Sequence, residues 1–261
     1  MRQSKPSRRA FLGILGALGC AGNTLAAPPP APRKVPAPPP APPRLRVMCV
    51  GAHPDDPEAG CGGTLARYAE AGHTVTVLYV TRGEIGVPDA APAETGPRRA
   101  KEAEAACAIL GARALFLPLE NGKLELNAAS EAEVRRALEA EKPDVVFAQW
   151  PIDTDGEHQI ASALTLRAYM ALPHAFPLYF YEVQTGAQTL DFVPTAYVDI
   201  SATREKKVRA LKAHRSQSFE HIYEQSHAKI EAFRGREIGA FAAEAFRAFG
   251  PDAKNGGLPG L

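Results

Sequence analysis

Cysteine is scarce in this sequence, and its few cysteines form no motif. The chain has four cysteines and no Cys-x-x-Cys pair, which argues against a disulfide framework. Three of them, Cys49, Cys61 and Cys107, lie beyond the N-terminal segment, and an odd number cannot pair completely. We expect these three to behave as small buried hydrophobic residues.

Nucleotide-binding motifs and internal repeats are absent as well. No segment reads Gly-x-Gly-x-x-Gly or Gly-x-x-x-x-Gly-Lys-Ser/Thr, so the sequence disfavours a nucleotide site. Acidic residues are missing from residues 1–44, which carry seven basic side chains. Because the net charge of the whole chain is only +1, the remainder carries −6, which argues against nucleic acid as a partner.

The basic N-terminus has the features of an export signal. Residues 1–27 contain the pair Arg8 and Arg9, followed by a short apolar stretch that ends in small residues. This arrangement is typical of a twin-arginine signal peptide and is too short for an ordinary membrane-spanning helix. We therefore expect export by the twin-arginine route to a periplasmic or extracellular location.

The end of this signal has two interpretations. Cleavage near Ala27 would release the protein, whereas a weak lipobox that ends at Cys20 would tether it to a membrane through a lipid. The tract that follows, residues 28–44, is rich in proline and is predicted to be an extended linker. It would act as a spacer from the membrane in the second case and as a plain linker in the first.

The rest of the chain alternates between strand and helix patterns. We predict one domain at residues 45–250, with a Rossmann-like three-layer α/β/α sandwich and a mostly parallel sheet, and a C-terminal tail at 251–261. The stretch 218–249 is expected to be helical in two pieces around Gly235. The predicted strands are residues 45–51, 74–81, 114–119, 144–150, 178–183 and 196–200, and the other predicted helices are 61–71, 97–110, 130–141, 159–172 and 201–214.

A histidine and two aspartates follow the first predicted strand. The uninterrupted apolar run at residues 47–50 predicts a strand buried on both faces, which places His53, Asp55 and Asp56 where open α/β proteins bind ligands. Zinc takes imidazole and carboxylate ligands, and a hydrolytic zinc site needs three protein ligands. In such a site one carboxylate would join His53 as a ligand and the other would remain free as a base. The alternative is that one of the aspartates caps a helix and His53 is a loop residue. Glycines at 60–63 are expected to bring the helix start close to a ligand.

The segment AHPDDPE at residues 52–58 resembles the signature of the PIG-L/LmbE-like zinc deacetylases, usually His-Pro-Asp-Asp-Glu, with Pro57 as an insertion. Other segments resemble further parts of that family in the corresponding order, and the similarity covers about residues 45 to 250. These segments are residues 81–86 (TRGEIG), 143–158 (PDVVFAQWPIDTDGEH), 178–189 (LYFYEVQTGAQT) and 212–218 (KAHRSQS).

The resemblance implies an activity and a cofactor. A member of this family would remove the N-acetyl group from an N-acetylglucosamine-type sugar or glycoconjugate. Zinc is the implied metal, with another divalent ion such as Fe²⁺ as the alternative. In such a site His53, Asp56 and His158 would bind the metal, and Asp55 would act as the general base on a metal-bound water.

The resemblance also implies roles for residues outside the metal site. Arg99 and Gln217 would bind substrate, and His214 would contribute to the pocket from the C-terminal side. The alternatives are that Arg99 lies on a solvated helix face and that His214 and Gln217 are surface helix residues without function. Glu58 and Glu84 are interpreted as structural hydrogen-bond acceptors.

One position departs from the family pattern. The family loop usually reads Asp-x-His-Pro-Asp-His, and Asp155 stands in place of its first His, which would stabilise the tetrahedral intermediate or protonate the leaving amine. A carboxylate opposite a developing oxyanion is unhelpful unless it is protonated or turned away. Asp155 is therefore a catalytic acid, an extra metal ligand, a mark of weakened activity or an Asx-turn residue before Gly156. His214 is a candidate for supplying the missing imidazole.

Two alternatives belong to other functional classes. A carbohydrate-binding pseudoenzyme would bind zinc or sugar without turnover, because Asp155 has replaced a needed imidazole. A membrane-anchored adaptor would depend on its proline tract and not on Asp55. The intact HPDD signature and His158 favour the enzyme; the oligomeric state is not predicted.

Overall fold

The computed structural model describes residues 43–173, 176–251 and 253–261, which contain a seven-stranded sheet. Its strands are β1 (Arg46–Gly51), β2 (Thr74–Tyr79), β3 (Arg113–Phe116), β4 (Val145–Gln149), β5 (Leu178–Tyr181), β6 (Ala196–Asp199) and β7 (Ala243–Phe249). They are ordered β3-β2-β1-β4-β5-β7-β6. Strands β1 to β5 are parallel, and β7 runs antiparallel to both of its neighbours.

Helices cover both faces of this sheet. They are α1 (Asp56–Glu70), α2 (Pro92–Leu110), α3 (Ala128–Glu141), α4 (Gly156–Ala171), α5 (Arg204–Ala213) and α6 (Ala228–Ile238), with a π-helical turn at Glu220–His227. One apolar cluster joins the sheet to α1, α2 and α5, and a second joins its other face to α3 and α4. The predicted three-layer α/β fold is confirmed.

Strand β1 lies at the centre of both apolar layers. Val47 and Cys49 belong to one cluster, while Met48 and Val50 belong to the other, as expected of a strand covered on both faces. Its neighbours are β2 on one side and β4 on the other. The strand that follows β1 in the sequence, β2, lies on one side of β1, whereas β4 lies on the other, so the strand order reverses at β1. In doubly wound folds the carboxyl ends of the strands at such a reversal flank a crevice that binds ligands.

The glycines of α1 serve close packing and not the approach of a ligand. A Cβ atom on Gly60 would lie 2.2 Å from the ring of Tyr181, and one on Gly63 would lie 2.6 Å from Ile200. Contacts this short are not sterically possible, so these positions let the helix approach β5 and the chain before α5. The expectation that they bring the helix start close to a ligand is wrong, because their close neighbours are side chains of the protein.

The prediction for residues 218–249 is correct only in its first part. The π-helical turn and α6 are helical, but β7 follows and inserts between β5 and β6. Gly235 lies within α6, where its missing side chain admits the backbone of Ala242, 3.1 Å from a Cβ built there. Alanine and glutamate in AEAFRAF favour a helix locally, but pairing with two strands overrides that preference.

The ends of the chain differ in what can be described. The predictions of a signal peptide, of lipid on Cys20 and of most of the linker fall on residues 1–42, outside the described residues. At the other end, Leu258 packs in the core and Pro259 accepts a hydrogen bond from Tyr68 Oη, 2.9 Å away. The segment predicted as a tail therefore packs against the domain.

Two further properties concern the described residues alone. Cys49, Cys61 and Cys107 are free and buried, as expected. None of the helices in the described part of the chain has the length and apolarity needed to cross a bilayer.

A buried ionic cluster joins α5, α6 and β7 to the middle of α1. Lys207 Nζ lies 2.8 Å from Glu231 and 2.7 Å from Glu244, and Glu244 also accepts hydrogen bonds from the backbone of Gly63 and Thr64. Both carboxylates and the ammonium group are buried. Glu231 also pairs with Arg204, so removal of Lys207 would leave the buried carboxylate of Glu244 without a cationic partner among the described residues.

We expect Lys207→Met to lower the free energy of unfolding by about 3–5 kcal/mol, the usual cost of breaking a buried ion pair. Urea denaturation measures this loss. The matched control is Lys206→Met, which removes a partly exposed pair with Glu70 and should cost less than about 1 kcal/mol. Equal losses in the two variants would contradict the structural role of the cluster.

Candidate active site

The loops after β1 and β4 enclose a cavity of about 340 Å³. Because the two strands are parallel neighbours, their carboxyl ends open at the same edge of the sheet. The cavity is lined by His53, Asp55, Asp56, Ala59, Ile85, Gly86, Arg99, Asn121, Asp155, His158, Val183, Gln184, Gln188, Gln217, Ile222 and His227.

The three predicted metal ligands meet on one wall of this cavity. One carboxylate oxygen of Asp56 lies 3.3 Å from His53 Nδ1, and the other lies 3.2 Å from His158 Nε2. Asp56 also accepts a 2.8 Å hydrogen bond from the backbone N–H of His53. The loop after β1 and the first turn of α4 thus bring two imidazoles onto one carboxylate.

Asp155 caps helix α4 and faces the same point. Its Oδ1 accepts hydrogen bonds from the backbone N–H groups of Glu157, at 2.8 Å, and His158, at 3.3 Å. Ligand atoms of His53, Asp155 and His158 all lie within 4.8 Å of one another. Asp155 Oδ1 thus accepts the backbone hydrogen bonds expected of an Asx turn. The position of the carboxylate also fits an extra metal ligand.

The spacing of these donors suits a single small cation. Neighbouring ligands around tetrahedral zinc with bonds of 2.0–2.1 Å are separated by about 3.3 Å. The contacts of Asp56 with His53 and His158, at 3.3 and 3.2 Å, match that separation. Two imidazoles and carboxylate oxygens are also the donor types that zinc prefers, so the residues present fit the implied metal.

The electrostatics of this wall favour positive charge. Burial acts against protonation of both imidazoles, yet Asp56 and Glu157 raise the pKa of His53 to about 9. Burial also acts to lower the pKa of His158, but the carboxylates of Asp56 and Asp153 raise it to about 11. Despite its own burial, the pKa of Asp56 falls well below the usual value because His158 and His53 adjoin it. A divalent cation would supply the same stabilising positive charge.

Asp55 occupies an unusual backbone conformation beside the metal-ligand candidates. Its φ of 109° is rare for a residue with a side chain, and such conformations persist where the surrounding structure imposes them. Its carboxylate is 3.1 Å from Arg99 Nη2. Burial raises the pKa of Asp55 to about 6 although Arg99 acts to lower it. A carboxyl group with this pKa is suited to proton transfer near neutral pH.

Arg99 is buried, so the alternative of a solvated helix face is wrong. The side chain is 4% exposed, and its guanidinium donates to the carbonyl oxygens of Pro54, at 2.5 Å, and Gly83, at 3.3 Å. A Cβ atom on Gly83 would lie 2.2 Å from Arg99 Nη1. The loop after β2 therefore closes over the guanidinium and holds it against Asp55.

The packing of Gly83 on Arg99 can be tested by a pair of glycine variants. Gly83 and Gly72 both have positive φ, +67° and +88°, but a Cβ on Gly72 would contact nothing within 4 Å. We expect both alanine variants to lose about 1 kcal/mol of stability from backbone strain. Only Gly83→Ala should lose activity, by about 10²-fold, because it displaces Arg99. Steady-state kinetics beside thermal unfolding would measure both effects, and equal activities would refute the coupling.

His214 and Gln217 occupy different positions from each other. His214 is buried, with Nε2 3.1 Å from Glu58, and does not line the cavity. Gln217 lines the cavity and donates to the carbonyl oxygen of Gly86 at 3.1 Å. Neither residue is a free surface side chain. Glu58 also accepts a 2.5 Å hydrogen bond from Tyr79 Oη, so its prediction as a structural acceptor is confirmed.

Three residues of the site were not identified from the sequence. Glu157 lies 2.9 Å from His53 Nε2, and Asn121 donates to Glu157 at 2.6 Å. Both residues orient the imidazole from chain segments remote from His53. His227 lines the cavity from the end of the π-helical turn. The adjacency of Glu157 to His158 was the one available clue, because a carboxylate next to a ligand often orients another.

The fold and this site define an α/β protein that presents a His–Asp–His cluster at the switch point of its sheet. A family model described as PIG-L, GlcNAc-PI de-N-acetylase, matches residues 48–169. The chain belongs to the PIG-L family.

Several relatives with known names are deacetylases. Diacetylchitobiose deacetylase from Thermococcus kodakarensis is 29% identical over 194 residues, which cover 69% of this chain and 72% of that protein. The solved structure of N,N'-diacetylchitobiose deacetylase from Pyrococcus horikoshii has a TM-score of 0.71 and 25% identity, covering 78% of this chain and 84% of that one. A conserved protein from Thermus thermophilus has a TM-score of 0.68 and 30% identity, covering 80% of this chain and 99% of that one.

Proposed function

We propose that this protein is a zinc-dependent hydrolase that removes the N-acetyl group from an N-acetylglucosamine-type sugar or glycoconjugate. The observation that carries the proposal is the convergence of His53, Asp56 and His158 beside the largely buried carboxylate of Asp55. The deacetylase activity of named relatives supports the same reaction.

His53, Asp56 and His158 would hold the ion, and Asp155 is placed to add a carboxylate oxygen. Zinc, when bound, polarises an amide carbonyl and lowers the pKa of water toward 7. Fe²⁺ accepts the same donor types. The contact of Glu157 with His53 Nε2 fixes the orientation of that ring and leaves Nδ1 directed toward Asp56.

Asp55 carries the proton in the proposed mechanism. It takes a proton from the attacking water while the water oxygen bonds to the amide carbon. The carbon–nitrogen bond then breaks, and Asp55 returns the proton to the nitrogen, so that acetate and a free amine are released. The contact with Arg99, at 3.1 Å, holds the carboxylate in position for both transfers.

Two further residues are given roles in this proposal. His214 is a positioning residue, since it is buried and its charge acts to lower the pKa of the Asp55 carboxyl group. Gln217 binds substrate from the cavity wall. The carboxylate of Asp155 is an acceptor held by the helix cap and is not the donor that a developing oxyanion needs.

The lining of the cavity fits a sugar. Its volume of about 340 Å³ lies within the range of small-molecule sites. The wall carries the side-chain amides of Asn121, Gln184, Gln188 and Gln217, which can both donate to and accept from hydroxyl groups. We propose that these amides bind the hydroxyls of the sugar unit that bears the N-acetyl group.

The location of the substrate is a separate part of the proposal. The twin-arginine pattern of residues 1–27 supports export, so the substrate would be a glycan or wall fragment outside the cytoplasm. Cleavage near Ala27 would give a free protein, and a lipid on Cys20 would give a tethered one. Mass spectrometry of the mature N-terminus distinguishes the two products.

Acetate release tests the proposed function. The full chain, loaded in parallel with zinc or Fe²⁺, is incubated with N-acetylglucosamine, its oligomers and peptidoglycan fragments, and acetate and free amine are quantified. We expect equimolar amounts of the two products, loss of activity in EDTA and recovery on return of the metal. A folded, metal-loaded protein that releases no acetate from any of them would reject the proposal.

A further inference from the structure

Three imidazoles line the cavity, and they differ in what holds them. His53 and His158 both contact the carboxylate of Asp56, at 3.3 and 3.2 Å. His227 is 2% exposed, and its Nε2 has no hydrogen-bond partner among the described residues. Buried polar atoms in native proteins almost always have a partner. An unpaired imidazole nitrogen in the wall of a site therefore indicates a group kept for a ligand.

The charge of His227 also differs from that of the other two imidazoles. Burial and the nearby ammonium of Lys207 lower the pKa of His227 to about 3, against the weaker opposite effect of Asp56. The imidazole is therefore neutral at physiological pH and carries one N–H donor and one acceptor. It can donate a hydrogen bond without adding a positive charge to the site.

The side-chain amides of the cavity wall are assigned to the sugar hydroxyls, so the oxygen of the substrate amide needs a separate donor. Asp55, Asp56 and Asp155 present carboxylate oxygens to the cavity, and these groups accept hydrogen bonds. The two terminal nitrogens of Arg99 are already engaged by Asp55 and by two backbone carbonyl oxygens. A carbonyl oxygen that gains negative charge during attack by water is stabilised by a preorganised N–H donor, and His227 has an imidazole free for that purpose.

We propose that His227 donates its imidazole N–H to the oxygen of the substrate amide as that oxygen becomes negatively charged. This role rests on the proposed deacetylase function and adds a catalytic residue that the sequence motifs do not indicate. The backbone supports it: His227 ends the π-helical turn at Glu220–His227. Such turns change the direction of the side chains that follow and recur at functional sites.

The first test compares His227→Phe with His227→Gln by acetate release. We expect the phenylalanine variant to lose about 10²-fold in kcat with KM changed less than about twofold, as is usual for loss of one oxyanion donor. Glutamine retains an N–H donor and should recover about tenfold of that loss. The matched control is His221→Phe, an exposed histidine on the same turn, which should keep the activity of the parent.

A binding measurement supplies a readout independent of turnover. The methylphosphonamide of glucosamine carries a tetrahedral anionic group where the amide is attacked, and calorimetry measures its Kd beside that of glucosamine. We expect His227→Phe to raise the Kd of the analogue by about 10²-fold and to leave the Kd of glucosamine unchanged. His227→Ala serves the same purpose if the phenylalanine ring prevents folding, which zinc content and circular dichroism report.

Two outcomes would overturn the role of His227 alone. One is an active parent protein with a variant whose kcat is unchanged. The other is a variant that raises KM at constant kcat and weakens glucosamine as much as the analogue, because His227 would then bind the ground-state sugar. An inactive parent protein would remove the proposed function and this role together, so the two failures are distinguishable.

Discussion

Replacement of Asp55 by asparagine is expected to lower kcat by about 10²–10⁴-fold, the usual cost of losing a general base. Asparagine keeps the size of the side chain and tolerates positive φ, so the φ of 109° at this position can persist. The amide cannot take the proton of the attacking water or return it to the amine. Acetate release measures the loss, and the zinc content should remain that of the parent protein.

The control for this variant is another aspartate with a positive φ. Asp191 is exposed and has a φ of 52°, so Asp191→Asn makes the same chemical change at another positive φ. Its activity should equal that of the parent protein. Retention of more than about a tenth of the parent kcat by Asp55→Asn would exclude this residue as the base.

Removal of Asp56 is expected to abolish activity by a different route. Its two oxygens contact His53 and His158, at 3.3 and 3.2 Å, so Asp56→Ala removes the carboxylate that both imidazoles share. The two histidines would then be held less firmly and would repel each other when protonated. The zinc affinity should fall by at least about 10²-fold, since each ligand contributes a few kcal/mol to binding.

Zinc per chain after dialysis, measured by mass spectrometry, checks this prediction. The control is Asp144→Ala, which removes a partly exposed aspartate paired with Arg46 at the opposite end of β1. That variant should bind zinc as the parent does and lose at most about 1 kcal/mol of stability. An Asp56→Ala protein that keeps one zinc ion and its activity would show that the metal is held elsewhere.

The sequence was sufficient to predict most of the sheet because the relevant signals are local. The apolar run of β1 and the His-Pro-Asp-Asp segment after it lie within one stretch of chain, and the motif that contains His158 follows a second apolar run in the same way. Parallel packing then requires both strand ends to meet at one edge. The clustering of His53, Asp56 and His158 was therefore within reach of sequence reasoning.

Other features depend on contacts between distant segments. Glu157 reaches His53 across 104 positions of the sequence, and the burial of His227 depends on the packing of the π-helical turn. Strand β7 is rich in alanine and takes its conformation from pairing with β5 and β6. Arg99 is buried because Gly83 leaves room for its guanidinium. None of these follows from local propensity, which tertiary packing overrides.

The origin of the metal-site residues on adjacent strands has a consequence for assembly of the protein. In an unfolded chain, only His53 and Asp56 among the three predicted ligands are close enough to bind one ion together. His158 joins them only when β4 pairs with β1. Zinc would therefore select folded over unfolded chains, by about 4 kcal/mol when its concentration is a thousandfold above Kd. The amount of zinc bound per chain would therefore report whether β1 is paired with β4. Loss of zinc would be an early sign that these two strands have separated.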